Sequence, residues 1–224
     1  AAVPLIALIA VFARERQSRV DGMLELSNAY RGTALLLGDV VEADDAYTGA
    51  HSRDVVDLAV AVGRGLGLAP KDLRQLEFTA LLHDVGKIRV PKEIINKPGP
   101  LTPEERAIIE RHTIDGESML TAVGGTLGEI GAIVRSCHER WDGAGYPDGL
   151  AAEAIPLVAR IVCACDAYSA MTTDRPYRRA RSPHEALAEL QRCAGSHFDP
   201  VVVASIADVL GDLPSLQAAP PLAA

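Results

Sequence analysis

Apolar residues recur at helical spacing along most of this chain, and no segment shows the polar–apolar alternation of a half-buried strand. Two segments also carry a complete helix-start signature, because Thr102 and Ser182 are each followed by proline and, three residues on, by glutamate. Aromatic residues make up only 4% of the chain, so the core must be built from Leu, Val, Ile and Ala. These features predict an all-α fold, a compact helical bundle preceded by a long N-terminal helix.

Glycines and prolines set the limits of the predicted helices. The helices of the bundle are predicted at residues 50–66, 71–85, 103 through His112, 126–140, 155–172, from 183 onward, and 200–210. Residues 88–101 and 141–150 are predicted loops, since both are rich in proline and glycine. The bundle is expected to span 47–210, and the Pro- and Ala-rich tail 211–224 is expected to be disordered.

The N-terminal region divides into an apolar and a polar part. Residues 1–13 are almost wholly apolar and Arg14, Arg16 and Arg19 follow, as on the cytoplasmic side of a membrane span. We expect residues 1–13 to end a transmembrane helix that begins before residue 1, and the domain to be cytoplasmic and anchored at the inner membrane. The alternative is a helix that docks on the body or on a partner chain. Residues 14–46 are predicted to form a linker helix that dimerises and carries a signal from an upstream sensor or membrane domain.

Charge and cysteine usage narrow the function classes. The net charge is −8, which argues against general binding to DNA or RNA, so an anionic substrate needs a local basic patch. Residues 174–181 supply four arginines against one aspartate, and Arg175 and Arg178 have the spacing to clamp a phosphate. A solvated basic loop is the alternative. The four cysteines show no CxxC spacing, so a reducing compartment is expected.

Metal-ligand side chains fall at helix ends or at positions that the pattern predicts to be interior. These residues are His51, His83, Asp84, His112, His138 and Asp166. A single core histidine is usually a hydrogen-bonded structural residue, but this many uncompensated polar groups inside an aliphatic bundle would be costly. Imidazole and carboxylate ligands favour Mn, Fe, Zn, Co or Ni over Ca. The set therefore predicts a transition-metal site.

The His-Asp doublet predicts more than one metal. Adjacent helical residues point about 100° apart, so His83 and Asp84 can reach two ions, with the carboxylate of Asp84 as the bridge. Lys87 lies on the same side of the helix, where an ammonium group can hold a substrate oxygen or a leaving group. Two close metals indicate hydrolysis at phosphorus, since they activate a water and neutralise charge on the phosphate.

The motifs resemble those of the HD-GYP domains, a subgroup of HD phosphohydrolases. The resemblance rests on "YTGAHSRDV", "LLHDVGKIRVPKEIINKPGPLT", "ERHTIDGESML", "CHERWDGAGYPDGL" and "IVCACDAYSAMTTDRPYRRA". It implies hydrolysis of cyclic di-GMP to linear pGpG, and onward to GMP in some cases, by a metal-bridging hydroxide. Two divalent transition-metal ions, Fe or Mn first and Zn, Co or Ni next, would be held by His51, His83, Asp84, His112, His138 and Asp166. Lys87, Arg175 and Arg178 would contact substrate phosphates, and Tyr146 of the GYP motif would lie at the substrate entrance.

Three positions depart from the family pattern. Many members have a histidine where this chain has Cys137, whose thiolate would be an additional ligand for softer ions if it binds. Members with a third metal carry a glutamate at the position of Tyr47, so two metals are expected here. Ser169 replaces a second aspartate that is expected to act through hydrogen bonds around the ligands.

Other functions remain open on the sequence alone. The same chemistry would serve another cyclic dinucleotide or nucleotide, because no residue predicts recognition of a guanine edge. A weakened site at Cys137 would instead make the chain a cyclic-dinucleotide receptor without turnover. A purely structural interaction domain is the most remote alternative, since it leaves the ligand-type residues unexplained.

Overall fold

The computed structural model describes residues 2–44, 51–174 and 179–212, which form helices and turns without a strand ladder. The helices in this part of the chain are α1 (Ala2–Asp44), α2 (His51–Gly65), α3 (Pro70–Leu82), α4 (Lys92–Ile95), α5 (Pro103–Glu110), α6 (His112–Val123), α7 (Gly125–Arg135), α8 (Leu157–Thr172), α9 (Pro183–Arg192) and α10 (Pro200–Asp212). Two short 3₁₀ helices, Val85–Arg89 and Ala152–Ala154, lie between them. The predicted all-α bundle is confirmed.

Helices α2, α3 and α8 form the centre of the bundle. They pack against one another, with α7 and α10 against their outer sides, and α6 packs on α7 and on the 3₁₀ helix Val85–Arg89. Val55 and Ala59 of α2, Leu76 of α3, and Ile161 and Val162 of α8 are fully buried. This aliphatic core fixes the ends of α3 and the middle of α8, where the candidate ligands lie.

The long helix α1 lies against one side of this bundle over its C-terminal part. It contacts α3 and the 3₁₀ helix Val85–Arg89, and it buries Ala34 and Val41. The guanidinium Nε of Arg31 donates to Oε1 of Glu77 on α3 at 2.5 Å. Among the described residues, no helix is both long and apolar enough to span a bilayer.

The two predicted helix starts are confirmed as capping boxes. Thr102 accepts from the amide of Glu105, whose carboxylate accepts from the amide of Thr102 at 2.8 Å. Ser182 and Glu185 make the same reciprocal pair at the start of α9. Each pair satisfies two amides that the first turn of a helix leaves without an intrahelical partner.

Three predicted helix limits near the site are wrong. The helix predicted at 71–85 ends at Leu82, so His83 and Asp84 follow it. His112 does not lie inside a helix, because α5 ends at Glu110 and α6 begins at His112. The side chains of His112 and Thr113 donate to the carbonyls of Ile109 and Glu110 and so compete with the backbone for these acceptors. The chain therefore changes direction at Arg111.

The predicted helix 126–140 is also too long. Helix α7 ends at Arg135, and the amides of Ser136 and Cys137 bond carbonyls three residues back, which tightens the chain into a turn. His138 follows in this turn. The predicted loop 88–101 contains one helical turn, α4, which begins after Pro91 because proline has a fixed φ that suits a helix start.

The other predictions of domain limits remain predictions. Helix α1 includes residues 2–13 of the apolar segment and most of the segment 14–46, without a break at their boundary. The tail from residue 213 onward lies outside the described residues.

Candidate metal centre

The side chains of Asp84, His83, His112 and His138 converge at one end of the bundle. Oδ1 of Asp84 lies 3.4 Å from Nε2 of His112 and 3.9 Å from Nε2 of His138. Oδ2 of the same carboxylate lies 3.5 Å from Nε2 of His83. Asp84, His112 and His138 each present a ligand atom within 4.8 Å of the others, a spacing that suits a shared metal ion. The carboxylate of Asp84 is thus the common neighbour of three imidazoles.

Different elements deliver these residues to one place. His83 follows the last residue of α3, His112 opens α6, and His138 lies in the turn after α7. Asp166, in the middle of α8, places Oδ1 3.9 Å from Nε2 of His83. Residues distant in sequence therefore meet because α3, α6, α7 and α8 pack around the same core.

The glycine of the HDxGK motif permits this approach. A Cβ on Gly86 would lie 1.9 Å from the carbonyl oxygen of His112 and 2.6 Å from the amide nitrogen of Gly116. Real Cβ atoms do not come this close to backbone atoms. The first turn of α6 can thus rest directly on the 3₁₀ helix that follows Asp84.

Backbone carbonyls fix the orientation of two imidazoles. Nδ1 of His83 donates to the carbonyl of Ala80 at 2.8 Å, and Nδ1 of His112 donates to that of Ile109 at 2.7 Å. Each ring in its neutral form therefore carries its proton on Nδ1 and directs the lone pair of Nε2 toward Asp84. Histidines that bind a metal commonly donate their other ring nitrogen to a carbonyl in this way.

The converging atoms have no hydrogen-bond partner among the described residues. Nε2 of His83, His112 and His138 and Oδ1 of Asp84 are all buried and unpaired. Unpaired buried polar atoms are costly, and four of them facing one another indicate a missing partner that accepts several lone pairs. A divalent cation is such a partner, and the nitrogen and oxygen donors suit a transition metal.

The charges around Asp84 support the same interpretation. Burial alone would raise the pKa of Asp84, but Lys87 and His83 outweigh burial and hold it well below its usual range. Burial lowers the pKa of His112 to about 4, so its imidazole is neutral at pH 7 as a ligand must be. Burial also acts to lower the pKa of His83, but Asp84 and Asp166 overcome it and raise the pKa. The two carboxylates thus favour a positive charge at this position.

Lys87 and Tyr146 border the centre. Nζ of Lys87 lies 2.8 Å from Oδ2 of Asp84, as expected from its position three residues on. The ring of Tyr146 is stacked on that of His138, with centroids 5.2 Å apart and an 8° interplanar angle. Burial, together with Asp84 and Glu110, raises the pKa of Tyr146, so its hydroxyl remains a hydrogen-bond donor at neutral pH.

Cys137 is buried beside the centre but is not part of the close group of Asp84, His112 and His138. Its Sγ lies 3.6 Å from the carbonyl of Ile133 in the preceding helix α7. Burial raises the pKa of the thiol well above its usual value, and Cys163 adds to the shift, so without a metal the group is neutral. Its role as a ligand stays a prediction, as does that of Ser169, which is buried in α8.

Several predicted site residues lie beyond what the structure describes. His51 is the first residue of α2, as predicted, but its side chain is not described. Arg175 and Arg178 lie in the segment 175–178 and Tyr47 in the segment 45–50, both outside the described residues. Their roles stay predictions.

The structure adds residues that sequence reasoning missed. Gly86 is needed for the contact with α6, and Arg135, Glu139 and Asp148 hold the loop that carries Tyr146. Glu139 directly follows a predicted ligand, which is a signal that could have drawn attention to it. Arg135 and Asp148 gave no such signal, because a charged residue at a helix end or in a loop is usually solvated.

Comparisons with known proteins agree with this geometry. The model of the HD domain family matches residues 36–202. The cyclic di-GMP phosphodiesterase response regulator RpfG of Xanthomonas campestris is 38% identical over 185 residues, which cover 82% of this chain and 49% of that protein. The 3'3'-cGAMP-specific phosphodiesterase 1 of Vibrio cholerae is 38% identical over 154 residues, or 69% of this chain and 36% of that protein.

A solved structure shares the fold. The cyclic GMP-AMP specific phosphodiesterase V-cGAP3 of Vibrio cholerae superposes with a TM-score of 0.62 at 20% identity, over 80% of this chain and 49% of that one. The chain spans about half the length of three curated relatives, at 49%, 42% and 46%. The family match covers well over half of the residues, and the side chains of His83, Asp84, His112, His138 and Asp166 lie near one another. The chain therefore belongs to the HD domain family.

Proposed function

We propose that this domain is a metal-dependent phosphodiesterase that hydrolyses cyclic di-GMP to linear pGpG. The observation that carries the proposal is the convergence of three buried, unpaired imidazole nitrogens on the carboxylate of Asp84, with an ammonium group at its edge. Support also comes from relatives such as RpfG, whose name states this activity. Onward cleavage of pGpG to GMP uses the same bond type and is part of the proposal.

Two divalent ions, Fe or Mn by preference, complete the proposed centre. Asp84, His112 and His138 would hold one of them, and His83, Asp84, Asp166 and His51 would hold the other. When bound, the ions supply Lewis acidity to the phosphate and an activated water as the nucleophile. Asp84 is the shared ligand, since both of its oxygens already face imidazoles.

The chain's own side chains bind and orient the substrate. Lys87 is placed to hold a phosphate oxygen that gains charge, because its Nζ lies 2.8 Å from Asp84 and therefore next to the centre. Tyr146 borders the centre at His138, where its protonated hydroxyl would donate to the nucleotide. Arg175 and Arg178 would bind the second phosphate of the ring.

A mixed cyclic dinucleotide is the second candidate substrate. The observation that favours it is the relative of 38% identity that is named a 3'3'-cGAMP-specific phosphodiesterase. Both substrates present the same pair of phosphodiesters to the metal centre. The two substrates differ in one base, so the residues around the substrate entrance, and not the metal ligands, would distinguish them.

A turnover assay with matched variants tests the function. Wild-type protein loaded with Mn or Fe is given cyclic di-GMP, 3'3'-cGAMP and a linear dinucleotide in parallel. We expect cyclic di-GMP to be cleaved fastest, Asp84→Asn to lose both bound metal and turnover, and Asp21→Asn in α1 to keep both. Faster cleavage of 3'3'-cGAMP would assign the second substrate. Equal rates for wild type and Asp84→Asn would overturn the proposal.

We further propose that α1 joins two copies of the chain. Its C-terminal part exposes four large apolar side chains, Tyr30, Leu36, Leu37 and Val40, at 57%, 67%, 45% and 57%. At 100° per residue, Leu36 and Val40 point away from Ala34 and Val41, which are buried. A second α1 would cover this apolar face as in a two-stranded coiled coil.

A further inference from the structure

Arg135, the last residue of α7, ties three segments together. Its Nε and Nη2 donate to the two carboxylate oxygens of Asp148 at 2.6 and 2.8 Å. Its Nη1 donates to Oε2 of Glu117 on α6 at 2.8 Å. These hydrogen bonds raise the pKa of Arg135 further, so the guanidinium is a permanent cation between two carboxylates. It therefore links α6, which begins at His112, and α7, which precedes the turn of His138, to the loop between residues 142 and 149, the GYP loop.

The GYP loop is also held from its other side. Oε1 of the buried Glu139 accepts from the amide of Asp148 at 2.7 Å. The amide of Tyr146 donates to the carbonyl of His138 at 3.2 Å. A Cβ on Gly145 would lie 2.3 Å from the amide nitrogen of Arg140, so the loop tip rests on the chain next to His138. The position of Asp148 thus sets that of Tyr146, two residues earlier.

The loop base is held by bonds that do not involve Arg135. The amides of Trp141 and Asp142 donate to the carbonyls of His197 and Ser196 at 3.1 and 2.8 Å. The amide of Ala152 donates to the carbonyl of Trp141 at 2.9 Å. Loss of Arg135 would therefore free the side chain of Asp148 and loosen the loop around it, while the base of the loop stays in place.

We propose that Arg135 is a positioning residue that acts through Asp148 to keep Tyr146 stacked on His138. Arg135 makes no contact with the described ligand atoms of the centre, whereas Tyr146 covers His138 and approaches His112 with centroids 6.3 Å apart. The clamp of Arg135, Asp148 and Glu117 thereby fixes the wall against which a bound nucleotide lies. The effect of this wall on substrate binding rests on the proposed function, whereas its effect on the loop does not.

The test compares Arg135→Met with Arg192→Met in the full chain. Arg192 makes the same two-pronged contact with Glu189, at 3.0 and 2.5 Å, but on the exposed side of α9. Hydrogen exchange followed by mass spectrometry reports the amides of Tyr146 and Asp148 directly. We expect exchange in residues 143–149 to speed up about tenfold in Arg135→Met, with exchange in α9 and the bound metal unchanged. Arg192→Met should leave the loop as in wild type.

Kinetics and a double-mutant cycle complete the test. Arg135→Met should raise KM for the cyclic dinucleotide about tenfold while kcat changes less than threefold, because the ligands stay in place. Asp148→Asn should have the same effects, and the double variant should add little to either single one. Unchanged exchange in residues 143–149 would overturn the proposal, as would faster exchange throughout the protein or fully additive effects. If wild type shows no turnover, the proposed function fails, and the exchange data still decide the role of Arg135.

Discussion

Gly86 shows how a single residue sets the distance between two ligands. The backbone atoms of His112 and Gly116 occupy the space that a side chain on Gly86 would need. Gly86→Ala must therefore push α6 away from the 3₁₀ helix. We expect a loss of about 3 kcal/mol in the free energy of unfolding, at the upper end for overpacked sites, together with weaker metal binding. Urea unfolding and metal titration measure the two effects.

The matched control for this prediction is Gly32→Ala. No atom lies within 4 Å of the Cβ position at Gly32 in α1. Alanine is the better helix former, so this variant should unfold at the same or a slightly higher urea concentration. Its free energy of unfolding should rise by up to about 1 kcal/mol. If Gly86→Ala and Gly32→Ala have the same free energy of unfolding, the contact at Gly86 does not limit how closely α6 packs on the 3₁₀ helix.

Lys87 offers a second prediction at this scale. Its ammonium group pairs with Asp84 at 2.8 Å but supplies no lone pair to a metal while it is protonated. Lys87→Met should keep the bound metal and lower kcat about a hundredfold, the usual effect of removing one group that stabilises developing charge. Lys97→Met, which breaks a pair with Glu105 at 2.6 Å, is the control. A kcat within threefold of wild type would rule out this role for Lys87.

Among the elements, α1 carries a prediction about assembly. Val40 is 57% exposed on the apolar face of α1, and Val201 on α10 is 62% exposed. If α1 pairs with a second copy, Val40→Glu buries a charge in the interface and should shift the protein toward monomer, whereas Val201→Glu should not. Analytical ultracentrifugation at several concentrations separates these outcomes. If Val40→Glu and Val201→Glu form equal fractions of dimer, the face of α1 that carries Val40 is not the dimer interface.

Helix starts were predictable from sequence, but several helix ends were not. A capping box is a local signal, and both predicted boxes, at Thr102 and Ser182, are present. The ends of α5 and α7 depend instead on competition for carbonyls by side chains and tightened turns, as at His112. Such competition is decided by tertiary packing, which a helical pattern does not report.

The same distinction applies to the site. The candidate ligands were recognisable because their residue types are costly inside an aliphatic core, and His83, Asp84, His112 and His138 do meet. The clamp around Arg135 was not recognisable, since its partners lie 13 and 18 residues away and each is ordinary on a surface. The residue type indicates that a buried polar side chain needs a partner, but only the fold shows which charged surface residues lie close together.

For the whole molecule, metal binding should be linked to stability. The unpaired atoms of the centre are buried only in the folded chain, so an ion that binds there favours the folded state. At a free ion concentration of about 100 times Kd, the gain is roughly 2.7 kcal/mol. Thermal unfolding with Mn and then with a chelator should show an upward shift in Tm that the chelator reverses. Asp84→Asn should show neither change; a shift of the same size in this variant would place the ion elsewhere.

The direct contact between Gly86 and α6 has a mechanical consequence. The two backbones are in direct contact there, with no side chain between them that could move, so the part of the pocket built by α6 and the 3₁₀ helix Val85–Arg89 is rigid. Adjustment to ligands of different size must then come from the loop that carries Tyr146.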